Sequence, residues 1–222
     1  MPAYDAPVPK PLNISAVLWD FGGVILSSPF EAFNRYEASR GLPADLIRTV
    51  NATNPDSNAW ALLERSDISP AEFDALFASE SEALGHRVPG ADVLALLSGD
   101  VRPQMVRALD TVIANGFLTA CLTNNVVSTS EPENERQAQV RDIMARFHHV
   151  VESSKVGCRK PEPRFYEIAC ELLAVSPTEC VFLDDLGINL KPAAAMGMRT
   201  IKVGDPSHAL AELSAHVGLS FD

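Results

Sequence analysis

The run ISAVLWDFGGVIL, residues 14–26, constrains the fold more than any other part of the chain. A short, almost wholly apolar stretch ends in an acidic residue, Asp20, and passes through Phe21 into Gly22 and Gly23. An apolar run of this length bounded by turn formers reads as a buried strand that breaks into a loop.

The same pattern returns twice. FLTACL (117–122) ends in Thr123 and Asn124, and VFLDD (181–185) ends in the pair Asp184 and Asp185. Helical periodicity separates these runs. In MVRALDTVIANG (105–116), Val106, Leu109, Val112 and Ile113 make one apolar face, and Gly116 supplies the stop. Val150 and Val151 mark a short strand. A loop then runs from Gly157 to Pro163, and a helix follows with Phe165, Ile168, Ala169 and Leu172 on one stripe. A small helix ending at Gly197, a strand RTIKV (199–203) and a last helix over 207–215 close the series. Strands alternating with amphipathic helices predict an α/β fold, a doubly wound parallel sheet. Ligands of such sheets bind at the carboxyl ends of the strands. Asp20, Thr123 with Asn124, and Asp184 with Asp185 all fall at that edge.

Residues 28–100 break the alternation. They carry no strand signal, and Ser69, Pro70 and Glu72 spell a capping box with proline at the first helical position. The expected organisation is a catalytic core of 14–27 and 101–222, with an all-helical insert over 28–100 capping the strand edge. The first thirteen residues hold four prolines and no apolar core, and read as a flexible leader, not a secretory signal.

Composition removes other classes. Hydrophobic residues make up 46% and charged ones 21%, as in an ordinary globular domain. No apolar run approaches the roughly 18 residues that span a bilayer. A net charge of −11 with scattered Lys and Arg disfavours nucleic acid, and an anionic substrate would need a local positive site. Cys121, Cys158, Cys170 and Cys180 show no CxxC spacing and read as free thiols of a cytoplasmic protein. No feature of the sequence sets an oligomeric state.

Four segments together resemble the haloacid dehalogenase (HAD) superfamily. VLWDFGGVIL is similar to its first motif, ACLTNNV (120–126) to the second, VGCRKPEPRFYEIA (156–169) to the third and VFLDDLGINLKPAAAMGM (181–198) to the fourth. They stand in the family's order, with the helical insert where the family places its C1 cap. Motifs three and four look most like the phosphatase domain of soluble epoxide hydrolases and the HAD domain of some acyl-CoA dehydrogenase fusions.

The resemblance implies a Mg²⁺-dependent hydrolase of a small phosphorylated metabolite. Asp20 would be the nucleophile. Asp20, Asp185 and the backbone carbonyl of Gly22 would hold the ion. Thr123 and Lys160 would contact the phosphoryl oxygens, and the backbone N–H groups of Gly23 and Asn124 would cradle them. Asp184 would support the metal from outside its ligand shell, and Asn189 would orient Lys160 or a ligand carboxylate. The chemistry agrees: a carboxylate and a phosphate repel by about 4 kcal/mol per charge pair at roughly 4 Å and an effective dielectric near 20. Positive charge is therefore required, and a hard dication prefers oxygen ligands.

One departure stands out. The family's first motif reads Asp-x-Asp, and the second aspartate, a general acid and base, is Gly22 here. By the usual yardstick its loss removes about 10² to 10⁴ in rate. Two other functions remain open on the residues: a metal-independent dehalogenase attacking carbon through Asp20, and a binding or regulatory protein that kept the fold. Taken singly, each site residue also has a structural reading, Asp20 and Asp185 as caps, Thr123 with Asn124 and Asn125 as turn chemistry, Lys160 as a solvated helix start. The adjacent His148 and His149 are expected on opposite faces of a strand, one at the surface and one in the core.

Overall fold

A computed structural model of the chain describes residues 14–97, 99–124 and 135–221; the leader over 1–13 and the end of the second motif, Asn125 and Val126, lie outside the described residues. Five strands form one parallel sheet: β1 (Ala16–Trp19), β2 (Leu118–Thr123), β3 (His149–Glu152), β4 (Cys180–Asp184) and β5 (Arg199–Lys202). Their spatial order is β3-β2-β1-β4-β5, with β1 central and paired to both β2 and β4. The chain winds outward to β3, returns across β1, and winds outward again to β5. The carboxyl ends of β1, β2 and β4 therefore meet at the point where the winding reverses.

Alternation along each strand supplies two apolar faces. Val17, Trp19, Cys121, Val181 and Leu183 point to one side, where α6 (Pro103–Ala114), α7 (Glu135–Met144) and α11 (Pro206–Val217) pack. Ala16, Leu18, Ala120, Leu122 and Phe182 point to the other, against α9 (Pro163–Leu173) and α10 (Gly187–Ala195), with the single turn α8 (Ser153–Val156) between β3 and α9. Each fully buried Leu or Phe contributes about 1.5–3 kcal/mol, so packing on both faces, more than any single bond, fixes the sheet between its helices.

Two helix faces differ from the periodicity reading. On α9 the buried set is Phe165, Tyr166, Ala169, Cys170 and Leu173, while Leu172 is 46% exposed. Tyr166 takes the inward place because its hydroxyl donates to the Asn189 carbonyl at 2.7 Å and its ring packs edge-on against Phe182. On α6, Met105 and Ala108 join Leu109 and Val112 in the core, and Val106 and Ile113 are only partly buried. The histidine expectation holds only in part: His148 is exposed, but it precedes β3, and His149, which opens that edge strand, is half-buried and not in the core. All four cysteines are free and buried.

Between β1 and β2 lie α1 (Phe30–Arg40), α2 (Leu46–Ala52), α3 (Ala59–Glu64), α4 (Pro70–Ala83) and α5 (Gly90–Ala95). They enclose a core of their own, including Phe33, Ile47, Leu63, Phe73 and Phe77. At the start of α4, Ser69 and Glu72 form the expected reciprocal capping box with Pro70 behind the cap. Chain entry and exit are stitched together. Leu26 bridges Val101, Ser27 N donates to Asp100 O at 2.7 Å, and Arg102 N donates to Ile25 O at 2.9 Å.

Candidate active site

Strand β1 ends at Asp20, whose backbone N–H still donates to Leu183 of β4 at 2.8 Å, so the first acidic residue leaves the sheet beside the second acidic cluster. The chain then makes one wide turn over Phe21–Ile25, opened by the Asp20 Oδ1 acceptor on Phe21 N at 2.7 Å. The two glycines of this turn do different work. Gly22 has φ −70° and ψ 133°, an extended conformation open to any residue, and a Cβ there would meet nothing within 4 Å. Gly23 has φ 77°, and a Cβ would fall 2.2 Å from Asp185 Oδ2. Only glycine brings the turn this close to the fourth-strand carboxylate.

Lys160 joins the elements. It is 1% exposed, and its Nζ lies 2.8 Å from Asp20 Oδ1 and 2.7 Å from Asp184 Oδ2. Asp184 is further held by Asn189 Nδ2, 3.1 Å from each carboxylate oxygen, and by Leu186 N at 2.8 Å. Asn189 therefore orients a carboxylate directly and Lys160 through it. Asp185 receives a hydrogen bond from Ser28 Oγ at 3.2 Å. Asn124 clips the backbone of Lys160: its Oδ1 accepts from Lys160 N and its Nδ2 donates to Lys160 O, both at 2.9 Å. Thr123, the last residue of β2, is buried at the same edge. Gly23 O accepts from Arg102 Nη1 at 2.8 Å, tying the turn to the start of α6.

Three carboxylates and one ammonium in a closed space set the electrostatics. Burial pushes Asp20 well above the ordinary carboxylate range, Lys160 opposes that, and Asp184 adds to it. Asp185 is pushed up to about 6, first by burial and then by Asp184. Burial alone would lower Lys160, but Asp184 and Asp20 together raise it above the usual lysine range, so it stays charged. The site carries an excess of buried negative charge. Asp20, Asp184 and Asp185 each offer an oxygen within 4.8 Å of the others, a donor set able to hold a cation.

A family model for haloacid dehalogenase-like hydrolases matches residues 14–197, which span the whole of this constellation. The chain belongs to that family. It is a hydrolase. It is 30% identical over 221 residues to the bifunctional epoxide hydrolase 2 of Mus musculus, covering 95% of this chain and 40% of that protein. It is 31% identical over 204 residues to the phosphatase MT3486 of Mycobacterium tuberculosis (strain CDC 1551 / Oshkosh), covering 86% of this chain and 88% of that one. The chain spans between 19% and 40% of the length of the mammalian relatives it matches. Among solved structures, a HAD family enzyme from Bacteroides thetaiotaomicron, complexed with magnesium and inorganic phosphate, superposes with a TM-score of 0.56 at 22% identity, over 88% of this chain and 98% of that one, a likeness of fold.

The fold brings Asp20, Gly22, Gly23, Thr123, Asn124, Lys160, Asp184, Asp185 and Asn189 to one edge of the sheet in this hydrolase. Ser28, Glu64 and Arg102 also touch this cluster and have no motif to announce them, and Arg159, inside the third motif, pairs with Glu64. Ser28 and Arg102 flank the two ends of the helical insert, a position that topology reveals and periodicity does not.

Proposed function

We propose that this hydrolase is a cytoplasmic, Mg²⁺-dependent phosphatase of a small phosphorylated metabolite, working through an aspartyl-phosphate on Asp20. The observation that carries the reading is a buried lysine shared by two carboxylates beside a third, all at the strand edge where β1, β2 and β4 end. The name of the mycobacterial relative, a phosphatase, supports it. Four free, buried thiols support the compartment. The helices over 28–100 serve as a cap over this edge, and 14–27 with 101–222 as the catalytic core.

The donors fit Mg²⁺: they are all oxygens, and Asp185 approaches a turn that Gly23 keeps clear of a side chain. Asp20, Asp185 and the carbonyl of Gly22 would hold the ion, while Asp184 stays with Lys160 and Asn189. When bound, Mg²⁺ offsets the repulsion between the carboxylates and the incoming phosphate. The free oxygen of Asp20 attacks phosphorus, and the ester P–O bond breaks with its electron pair leaving on the departing oxygen. Lys160 and the Thr123 hydroxyl neutralise the phosphoryl oxygens, and the N–H groups of Gly23 and Asn124 cradle them. Water then displaces phosphate from Asp20.

Hydrolysis of p-nitrophenyl phosphate is the expected activity, abolished by EDTA and restored by Mg²⁺, with no halide released from chloroacetate. Asp185→Asn should lower Mg²⁺ affinity in calorimetry by about tenfold or more, since it removes a charged ligand. Turnover that survives EDTA, or metal affinity unchanged in the variant, would remove the ion from this site.

Gly22 predicts a specific kinetic signature. With no carboxyl group there to donate a proton, negative charge accumulates on the leaving oxygen, so kcat/KM should fall steeply as leaving-group pKa rises. The backbone at Gly22 accepts any residue and the Cβ space is open, so Gly22→Asp should fold normally and flatten that dependence. The gain for an alkyl phosphate is expected at about 10² or more. A flat series in the unaltered protein would mean that another group supplies the proton.

A further inference from the structure

The helical insert meets the Lys160 segment through a compact polar cluster at the end of α3. Glu64 is 5% exposed. Its Oε1 accepts from Trp60 Nε1 at 3.0 Å. Its Oε2 lies 2.7 Å from Arg159 Nε, an ion pair by distance without the alignment of a hydrogen bond, and 3.3 Å from the donor Asn124 Nδ2. The next residue, Arg65, pairs with Glu162 at 3.0 Å. Consecutive residues of the insert thus hold residues 159 and 162 by ion pairs of opposite polarity, with Lys160 between them and Asn124 clipping its backbone.

We propose that Glu64 is a positioning residue of this hydrolase, acting through Arg159 and Asn124 to fix the segment from which Lys160 reaches Asp20. The inference rests on the phosphatase reading of that site. A lysine ammonium sits at the end of a flexible four-carbon stem, so its placement depends on where its backbone is held. A side chain from the insert that grips both the neighbour of Lys160 and the residue clipping it makes the cap part of that hold. An acidic residue buried at the edge of an anion site, already surrounded by carboxylates, otherwise opposes phosphate binding; its contacts offer the compensating role.

The same contacts give Glu64 a measurable signature. Burial pushes its carboxyl up to about 7, against Arg159, the Trp60 N–H, Lys160 and Arg65, the charged and donor groups that face it from α3 and from the Lys160 segment. Above that pH the ionised carboxylate grips Arg159; below it the charge, and with it the grip, is lost. Activity should therefore rise as pH passes through about 7.

The test uses the full chain and Glu64→Gln, which keeps the size and the oxygen acceptor and removes the charge. With p-nitrophenyl phosphate and Mg²⁺, kcat/KM should fall by roughly tenfold, the scale of a modest misplacement of a reacting group, and the rise near pH 7 should disappear. Orthophosphate affinity by calorimetry should fall as well. A variant with unaltered kcat/KM, orthophosphate affinity and pH profile overturns the inference, as does a weakened variant whose pH profile matches that of the parent. If Glu64→Gln does not fold, Arg159→Gln breaks the same pair from the core side and is read by the same outcomes. A protein that binds orthophosphate but hydrolyses no ester would defeat the phosphatase reading alone, and the variant's orthophosphate affinity and its pH dependence would still decide the role of Glu64. A protein that does neither overturns both.

Discussion

Lys160→Met is expected to abolish turnover and to destabilise the folded chain by about 3–5 kcal/mol, the usual cost of leaving a buried charge without its partner. The methionine fills a similar volume, so the loss is electrostatic and not a cavity effect. In the native protein one ammonium serves Asp20 and Asp184 at 2.8 and 2.7 Å. Without it three carboxylates share one buried space and two of them lose the ammonium that paired them. Because Lys160 is raised above the usual lysine range, its stabilisation is fully present below the ordinary lysine pKa and is lost only as pH rises through the raised value. The lysine's own part of the deficit should therefore not vary across neutral pH. The whole deficit should shrink in acid, where the carboxylates of the variant can take up protons. Urea denaturation of both proteins from about pH 5 to pH 9, in EDTA, measures it. A variant as stable as the parent would show that the carboxylates are relieved by solvent.

Asp20→Asn is expected to lose turnover by roughly 10⁴-fold or more, the scale seen when a nucleophile is removed, and yet to be at least as stable as the parent. The carboxyl of Asp20 is held above its ordinary range, so its ionised form costs stability at every pH above the ordinary carboxylate value. The amide removes that cost while Lys160 keeps Asp184. Any advantage of the variant should fade as pH falls below the ordinary carboxylate range, where Asp20 is protonated in both folded and unfolded chains. Thermal melts in EDTA at several pH values, beside single-turnover assays, check both halves. Unimpaired turnover would remove Asp20 from the chemistry.

The buried strands, the doubly wound class and the strand-end residues were legible because a buried strand must be apolar along its length, which makes Asp20, Thr123 and Asp184 conspicuous where it stops. The helices that present a full apolar stripe to the sheet were legible from their periodicity. Helix facing was less so: Tyr166 turns inward because Asn189 offers its hydroxyl a partner, and that partner comes from 23 residues away. Helix α7 gave no signal, since apart from Ile143 its residues are polar or only partly buried. Glu64 was illegible in another way. A glutamate at the end of a helix resembles a solvated charge, and only the approach of Arg159 and Asn124 from distant segments buries it. Both glycines read in sequence as turn formers, and backbone angles with the space at Cβ separate the replaceable Gly22 from the obligatory Gly23.

The stitching of Ser27 to Asp100, Leu26 to Val101 and Ile25 to Arg102 has a consequence for ancestry. Both ends of the insert are clamped at one place on the core, and the insert keeps an apolar interior of its own. Closing a longer or shorter excursion between two fixed points changes the entropy only logarithmically with its length. A lineage can therefore exchange, enlarge or trim what lies between those points while the sheet beneath remains intact. The sheet and the excursion it carries are separately heritable as folds, and the ladder of three residue pairs is the seam along which they part.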